Sequence, residues 1–162
     1  MSKFRLKKLL KRDNSFRYFA KEDMKYLWAA YKKDGLPALP ENLNKEEFTD
    51  LVTEFLSGFS EVFIIESPTI RGKIPVAIIT TLVTSRTEPN VDWFPWASNR
   101  NKLEAAAYFL SKMRKRPILI WANKETTPYF TRLAQYGVLR RIGKAHKFVD
   151  GQDQMIFQTR SY

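Results

Sequence analysis

Residues 117–122 read Pro-Ile-Leu-Ile-Trp-Ala, a nearly continuous apolar run of strand length. A strand with one wet face would alternate polar and apolar residues, so this run belongs to a central strand covered on both faces. The helix after it is well marked. Thr127 and Pro128 form an N-cap and N1 pair, Phe130, Leu133 and Ala134 supply an inward face, and Gly137 stands where a left-handed residue is wanted. Residues 138–149, an Asp150-Gly151 turn and residues 155–160 then have the composition of a terminal hairpin.

Upstream, Met24, Leu27, Trp28 and Tyr31 recur at the spacing of one helical face, which Gly35 and Pro37 end. Residues 36–43, with Pro37 and Pro40, form a loop. Asn44 and Glu47 read as an N-cap pair before a second helix with Phe48, Leu51, Val52, Phe55 and Leu56 inward and Gly58 at its end. Residues 62–66 and 74–83 form an antiparallel hairpin turning through Pro68 and Gly72. A third extended segment, residues 90–96, carries Trp93 on one face and Phe94 and Trp96 on the other. Ser98 or Asn99 then caps a helix whose predicted buried side is Leu103, Ala106, Ala107, Leu110 and Met113. At the start, residues 16–19 read as a short strand, and residues 1–15 as a basic arm in which Leu6, Leu9 and Leu10 make an amphipathic turn. The predicted order is β-α-α-β-β-β-α-β-α-β-β, an α/β (α+β) domain over residues 16–162 behind the arm.

A chain of 162 residues that is 44% hydrophobic has the size of one domain with a real core. It has no cysteine, which excludes disulfides and thiolate metal sites, and a single histidine, His146, which excludes a histidine metal cluster. His146 lies between Lys144 and Lys147 in a basic, strand-like stretch and reads as an exposed residue. No run reaches the roughly 18 apolar residues needed to span a bilayer, and no apolar signal region follows the first charges, so a soluble, unsecreted chain is expected. The formal charge of +11 favours an anionic partner. Lys3, Arg5, Lys7, Lys8, Lys11, Arg12 and Arg17 precede the first helix with Asp13 as the sole acid among them. The arm's Lys3, Arg5, Lys7, Lys8, Lys11 and Arg12 are the expected nucleic-acid or anion contacts. Lys112, Arg114, Lys115 and Arg116 close the third helix, where cations also face its C-terminal dipole.

This element order, with a strand ending in Ala122-Asn123 and a helix closed by Tyr136-Gly137-Val138, resembles the GNAT N-acyltransferase superfamily over roughly residues 16–160. The resemblance implies a mixed central sheet with about four helices and, in an active member, an acyl-CoA site that Asn123 and the Gly137 corner help to complete. Such a site holds pyrophosphate on the backbone of a Gln/Arg-x-x-Gly-x-Gly/Ala loop at a helix N-terminus. Here the stretch is Trp96-Ala97-Ser98-Asn99-Arg100-Asn101-Lys102, without glycine. If the chain is active, the implied cofactor contacts are Ala97, Ser98, Asn99, Arg100, Asn101 and Asn123, with Arg100 and Lys102 attracting phosphate. The tyrosine that protonates the departing thiolate in many members falls on Leu133. Tyr129 and Tyr136 are the nearby substitutes, and both are expected to point well away from that position. Asp92, with Glu66 behind it, is the carboxylate expected as general base.

The glycine-free loop, the leucine at the acid position and the basic, cysteine-free composition are together similar to GNAT-like proteins of short-tailed bacteriophages, including internal virion proteins. That likeness implies a protein that keeps the fold without the usual acetyl-CoA chemistry, holds no cofactor or metal, and resides in the virion or host cytoplasm. Its partners would be other virion proteins or nucleic acid, with oligomers formed through an assembly. The alternative is a divergent N-acyltransferase using acetyl-CoA or another acyl-CoA. A third reading is a basic nucleic-acid-binding module whose lysines and arginines contact phosphates while Trp93, Phe94 and Trp96 stack on bases.

Overall fold

A computed structural model of the chain describes residues 3–9, 21–35, 39–70, 72–113, 116–122, 124, 126–149 and 151–159, with backbone alone at 21, 22 and 147–149. The elements are β1 (Arg5–Leu9), α1 (Lys21–Asp34), α2 (Lys45–Ser57), β2 (Glu61–Thr69), β3 (Gly72–Val83), β4 (Thr87–Trp93), α3 (Asn99–Lys112), β5 (Leu119–Ala122), α4 (Thr127–Gln135), β6 (Leu139–Val149) and β7 (Gln152–Thr159). This is the order read from the sequence. The described first strand, however, lies inside the stretch read as a basic arm; residues 16–19 and Leu10 fall outside the described residues. The leucines fit a strand covered on both sides better than a turn. Phe4 and Leu6 face one core and Leu9 the other, while Lys7 and Leu9 pair with Ile64 and Val62 of β2.

Two antiparallel sheets form, in the orders β1-β2-β3-β4 and β5-β7-β6. β2 separates two cores by alternation. Phe63 and Ile65 pack with Ala105, Phe109, Ile118, Ile120 and Phe130, on the side of α3 and α4. Val62 and Ile64 pack with Met24, Leu27, Phe48, Val52 and Leu56, on the side of α1 and α2. A strand buried on both faces has no room for polar residues, which is why residues 62–65 read as an unbroken apolar run. β5 was expected at the centre of one sheet. It heads the second sheet beside β7 and stands against β4 of the first at a parallel bridge, Thr87 to Ile118, so it lies between the two sheets, with Leu119, Ile120 and Ala122 at most 3% exposed.

The caps follow local chemistry. Asn44 Oδ1 accepts from the Glu47 amide at 2.9 Å and the Asn44 side-chain amide donates to Glu47 Oε1 at 2.6 Å. α4 starts one residue earlier than its Thr-Pro pair suggests, with Thr126 as N-cap and no side-chain cap bond. Gly137 has φ +81 after α4, a conformation that favours glycine. The buried side of α3 is Ala105, Ala106, Phe109 and Leu110, with Met113 just beyond; Leu103 and Ala107 are only partly buried. Phe109 points at Phe63 (5.8 Å between centroids), and this aromatic contact turns the helix away from the predicted face. Phe55 of α2, expected inside, is 49% exposed and packs edge-on against Phe59.

Candidate active site

The two sheets meet where Thr87 N donates to the Pro117 carbonyl at 2.9 Å, beside the Thr87 to Ile118 bridge. From there β4 continues paired to β3 and β5 continues paired to β7, with no further bridge between them among the described residues. Two strands held at one end and claimed by different partners beyond it leave a cleft between them. Val91, Trp93 and Ile120 line it, with Phe109 and Leu110 of α3 and Phe130 of α4 on one side and Asn90 and Trp121 on the other. Because Asn90 alternates with Val91, and Trp121 with Ile120, the cleft runs through the sheet layer from one face to the other. About 50 Å³ of it is wide enough for water. Trp121 Nε1 donates across the gap to Glu88 Oε1 at 3.4 Å. Trp93 Nε1 is buried without a hydrogen-bond partner.

The end at which the strands touch is stitched by charge. Glu61 of β2, 8% exposed, accepts from Arg116 at 2.6 and 3.1 Å through its two oxygens, from Lys8 Nζ at 3.1 Å and from Thr81 Oγ1 at 3.1 Å. Burial pushes its carboxyl up, but the hydrogen bonds from Arg116, Lys8 and Thr81 outweigh this and hold it below its ordinary value of 4.5. Arg116 immediately precedes Pro117, so the network fixes the entry of β5 against the first sheet.

Asp92 of β4 pairs with Ile78, on the face that carries Asn90. Its surface remains accessible, yet the protein around it withdraws enough water to raise its carboxyl above the usual 3.8, against a lowering hydrogen bond from Asn90 Nδ2 at 3.1 Å. It thus lies on the face of β4 opposite α3. Glu66 sits at the β2 bulge, paired with Arg5 and Pro75, and shares no contact with Asp92.

The turn from β4 to α3 explains where the glycine-free stretch goes. Ala97 N bonds to the Phe94 carbonyl at 3.0 Å, and Ser98 Oγ caps the helix by accepting from Asn101 N at 3.1 Å. The first amides of a helix lack intrahelical acceptors, so those of Asn99 and Arg100 remain the open end of α3. Arg100 Nε pairs with Glu104 at 2.9 Å, and Lys3 also pairs with Glu104. These hydrogen bonds, Lys3 first and Arg100 next, hold the Glu104 carboxyl below its ordinary value. Tyr129 Oη of α4 donates to Asn99 Oδ1 at 3.1 Å, and its ring lies 6.4 Å from that of Trp93.

The other expected residues scatter. Leu133, at the acid position, is buried in the core. Four helical residues turn about 400°, so Tyr129 sits only about 40° around from Leu133 and one turn earlier, nearer in direction than expected. Tyr136 ends α4, 69% exposed. Asn123, Lys11 and Arg12 lie outside the described residues. Lys3, Lys7 and Lys8 are held in ion pairs with Glu104, Asp23 and Glu61, and Arg5 and Lys8 are the exposed cations of the strand. Phe94 is 4% exposed and stacks on Trp96, whose Nε1 donates to the Pro75 carbonyl at 2.7 Å. Phe94 is thus a core residue, while Trp93 and Trp96 of the same segment are half-buried. His146 is exposed, as expected, with Nδ1 2.9 Å from Asp153. No group of metal-ligating side chains occurs among the described residues, and none of their helices is long and apolar enough to cross a membrane. The residues that sequence reasoning missed are Trp93 as a cleft wall and Trp121 with Glu88 across it; their signal was the aromatic at each strand end.

No protein-family profile matches the sequence, and no curated protein matches it. Solved structures do match. A probable GNAT-family acetyltransferase from Chromobacterium violaceum is similar with TM-score 0.67 and 13% identity, over 98% of this chain and 88% of that one. A spermidine N-acetyltransferase chimera from Vibrio cholerae and hSSAT gives 0.63 at 12% identity, over 98% and 95%. A NatC complex bound to Gag peptide and CoA gives 0.53 at 11% identity, over 99% and 100%. At these identities the shared property is the fold, and it agrees with the α+β GNAT-like arrangement read from the sequence.

Proposed function

We propose that this chain, an α+β protein with the GNAT fold, is an acyl-CoA-dependent N-acyltransferase. The observation that carries the reading is the cleft through the sheet layer beyond the Thr87 to Ile118 bridge. It would let an acyl thioester approach from the side of α3 and α4 while an amine approaches from the side of Asn90 and Asp92. Acetyltransferases of the same fold support it.

The residues fit the acyl end of such a donor, since the cleft walls are mostly apolar with one unpaired donor. At the anionic end, the amides of Asn99 and Arg100 and the charges of Arg100 and Lys102 would meet the phosphates at the start of α3. No glycine opens the backbone there, so side chains carry more of that contact than in a glycine-rich loop. In acyl transfer a C–N bond forms and the C–S bond breaks. Asp92 would take the proton that the amine nitrogen loses, and its raised pKa makes it a stronger base than an ordinary carboxylate. Tyr129, beside Trp93 and the start of α3, would return a proton to the departing sulfur. Tyr136, out at the helix end, has no role in this scheme.

The glycine-free start of α3 favours a second reading: a virion or DNA-associated protein that keeps the fold without the chemistry. Calorimetric titration with acetyl-CoA and desulfo-CoA at physiological salt, beside an unrelated protein of equal charge, tests both. One-to-one micromolar binding is expected. Heat no greater than the control's would overturn the acyltransferase reading and favour the second.

A further inference from the structure

From Thr126 to Val149 the sequence holds Arg132, Arg140, Arg141, Lys144 and Lys147 and not one aspartate or glutamate. Much of that stretch is β6. In the sheet order β5-β7-β6 this strand has β7 on one side and no partner strand on the other among the described residues, so one row of its amides and carbonyls is open to pairing. Arg140, Arg141 and Ile142 are exposed, and no carboxylate among the described residues pairs with Arg132, Arg140 or Arg141; the hairpin's Asp153 serves Lys144 and His146 instead. Tyr136, Val138 and Ile142, which are 69%, 39% and 45% exposed, add apolar surface along the same run of chain. A free backbone edge, unpaired cations and exposed aliphatic side chains are complementary to a partner that brings backbone groups, carboxylates and apolar side chains at once. A nucleic acid would supply the anions alone. A second copy of this chain would set arginine against arginine.

We infer that the open edge of β6 docks an acidic, extended segment of a partner protein, which adds as a further strand beside β6 with its carboxylates on the arginines and its apolar side chains against Ile142. Arg140 and Arg141 lie on opposite faces of the strand, so a guanidinium meets the added carboxylates whichever face they take. Main-chain hydrogen bonds hold such a strand, and its side chains select it. Residues 139–145 span about 23 Å at roughly 3.3 Å per residue, room for a partner segment of about seven residues. The inference does not rest on the acyltransferase reading.

The test titrates the full ¹⁵N-labelled chain with a capped peptide of about seven alternating glutamates and valines, following the shifts and hydrogen exchange of the backbone amides of residues 139–145. Three further probes accompany it: the lysine–valine counterpart, the glutamate–valine peptide N-methylated on every backbone amide, and a DNA duplex. Saturable binding of the glutamate–valine peptide is expected, with slowed exchange centred on the β6 amides, and N-methylation should abolish both. In Arg140→Glu/Arg141→Glu the affinity is expected to fall roughly 5- to 30-fold, the measure of two exposed charge contacts, with little change in melting temperature. Equal binding of the methylated peptide would reduce the surface to charge attraction and overturn strand addition. Binding of the glutamate–valine peptide no tighter than that of the lysine–valine one would also overturn the inference. A duplex that shifts the same β6 amides at lower concentration than the peptide would assign the surface to nucleic acid, against it. If the variant does not fold, the methylated and unmethylated peptides on the parent protein decide alone.

Discussion

Replacing Glu61 by glutamine keeps its shape and removes the charge on which Arg116 and Lys8 converge. The amide nitrogen then faces one arm of the Arg116 fork, donor against donor, where the carboxylate accepts at 2.6 and 3.1 Å. Removing one partner of a fully buried pair costs about 3–5 kcal/mol, whereas an exposed pair is worth about 0–1 kcal/mol. The Glu61 side chain is 10% exposed, but those of Arg116 and Lys8 are 39% and 48% exposed, so water can rescue the stranded cations. The expected loss lies between the limits, about 2 kcal/mol, or roughly 4–8 °C in melting temperature for a domain of this size. Its pH dependence is the sharper test. Because the folded-state pKa of Glu61 lies below 4.5, the network's contribution is complete above that value and is lost as pH falls through the folded-state pKa. Melting curves of parent and Glu61→Gln should therefore differ fully from neutrality down to about pH 5 and converge in more acid buffer. A gap that stays constant down to about pH 3, or no gap at neutrality, would refute the assignment of the network as a charge-driven stitch.

Three further perturbations address the site and its supports. Asp92→Asn should lower kcat by about 10²- to 10⁴-fold with little change in melting temperature; in the parent, kcat/KM should rise with pH through an apparent pKa above 3.8, and the variant should lose that acid limb. Ser98→Ala removes the cap bond to Asn101 and should cost about 1 kcal/mol, read as a drop of roughly 2–4 °C by circular dichroism. Leu133→Ala should cost about 2–5 kcal/mol in a denaturant melt, because the side chain is 2% exposed in the core; a loss near zero would mean that the position is open to the cleft.

Where a physical signal is local, the sequence carried it. Asn44 and Ser98 cap helices because their side-chain oxygens reach an amide three residues on, and Gly137 follows α4 because φ +81 favours glycine. The hairpins were legible for the same reason. Tertiary choices were not legible. Whether Leu6 and Leu9 mark a turn or a doubly covered strand depends on β2 being there to pair with them. Which side of α3 is buried depends on Phe63 offering a ring to Phe109. At the candidate site, Asp92 was recognisable as a carboxylate near the end of a strand, and Asn99 and Ser98 as a helix start. That Tyr129 would reach Asn99, and that Trp93 would line the opening unpaired, depends on β4 and β5 separating, which no spacing within either strand encodes.

The pairing of β1 with β2 bears on how the protein tolerates shortening. Residues 3–9 look dispensable in a linear view, a lysine-rich overhang convenient to trim. Trimming them would bare the outer rim of β2, whose Val62, Phe63, Ile64 and Ile65 are at most 3% exposed, and would leave its backbone amides and carbonyls unsatisfied along that rim. An unpaired rim beside so apolar a run is prone to pair with copies of itself. β1 thus satisfies that rim of the sheet and sets the charges of Lys7 and Lys8 beside the most apolar strand of the fold.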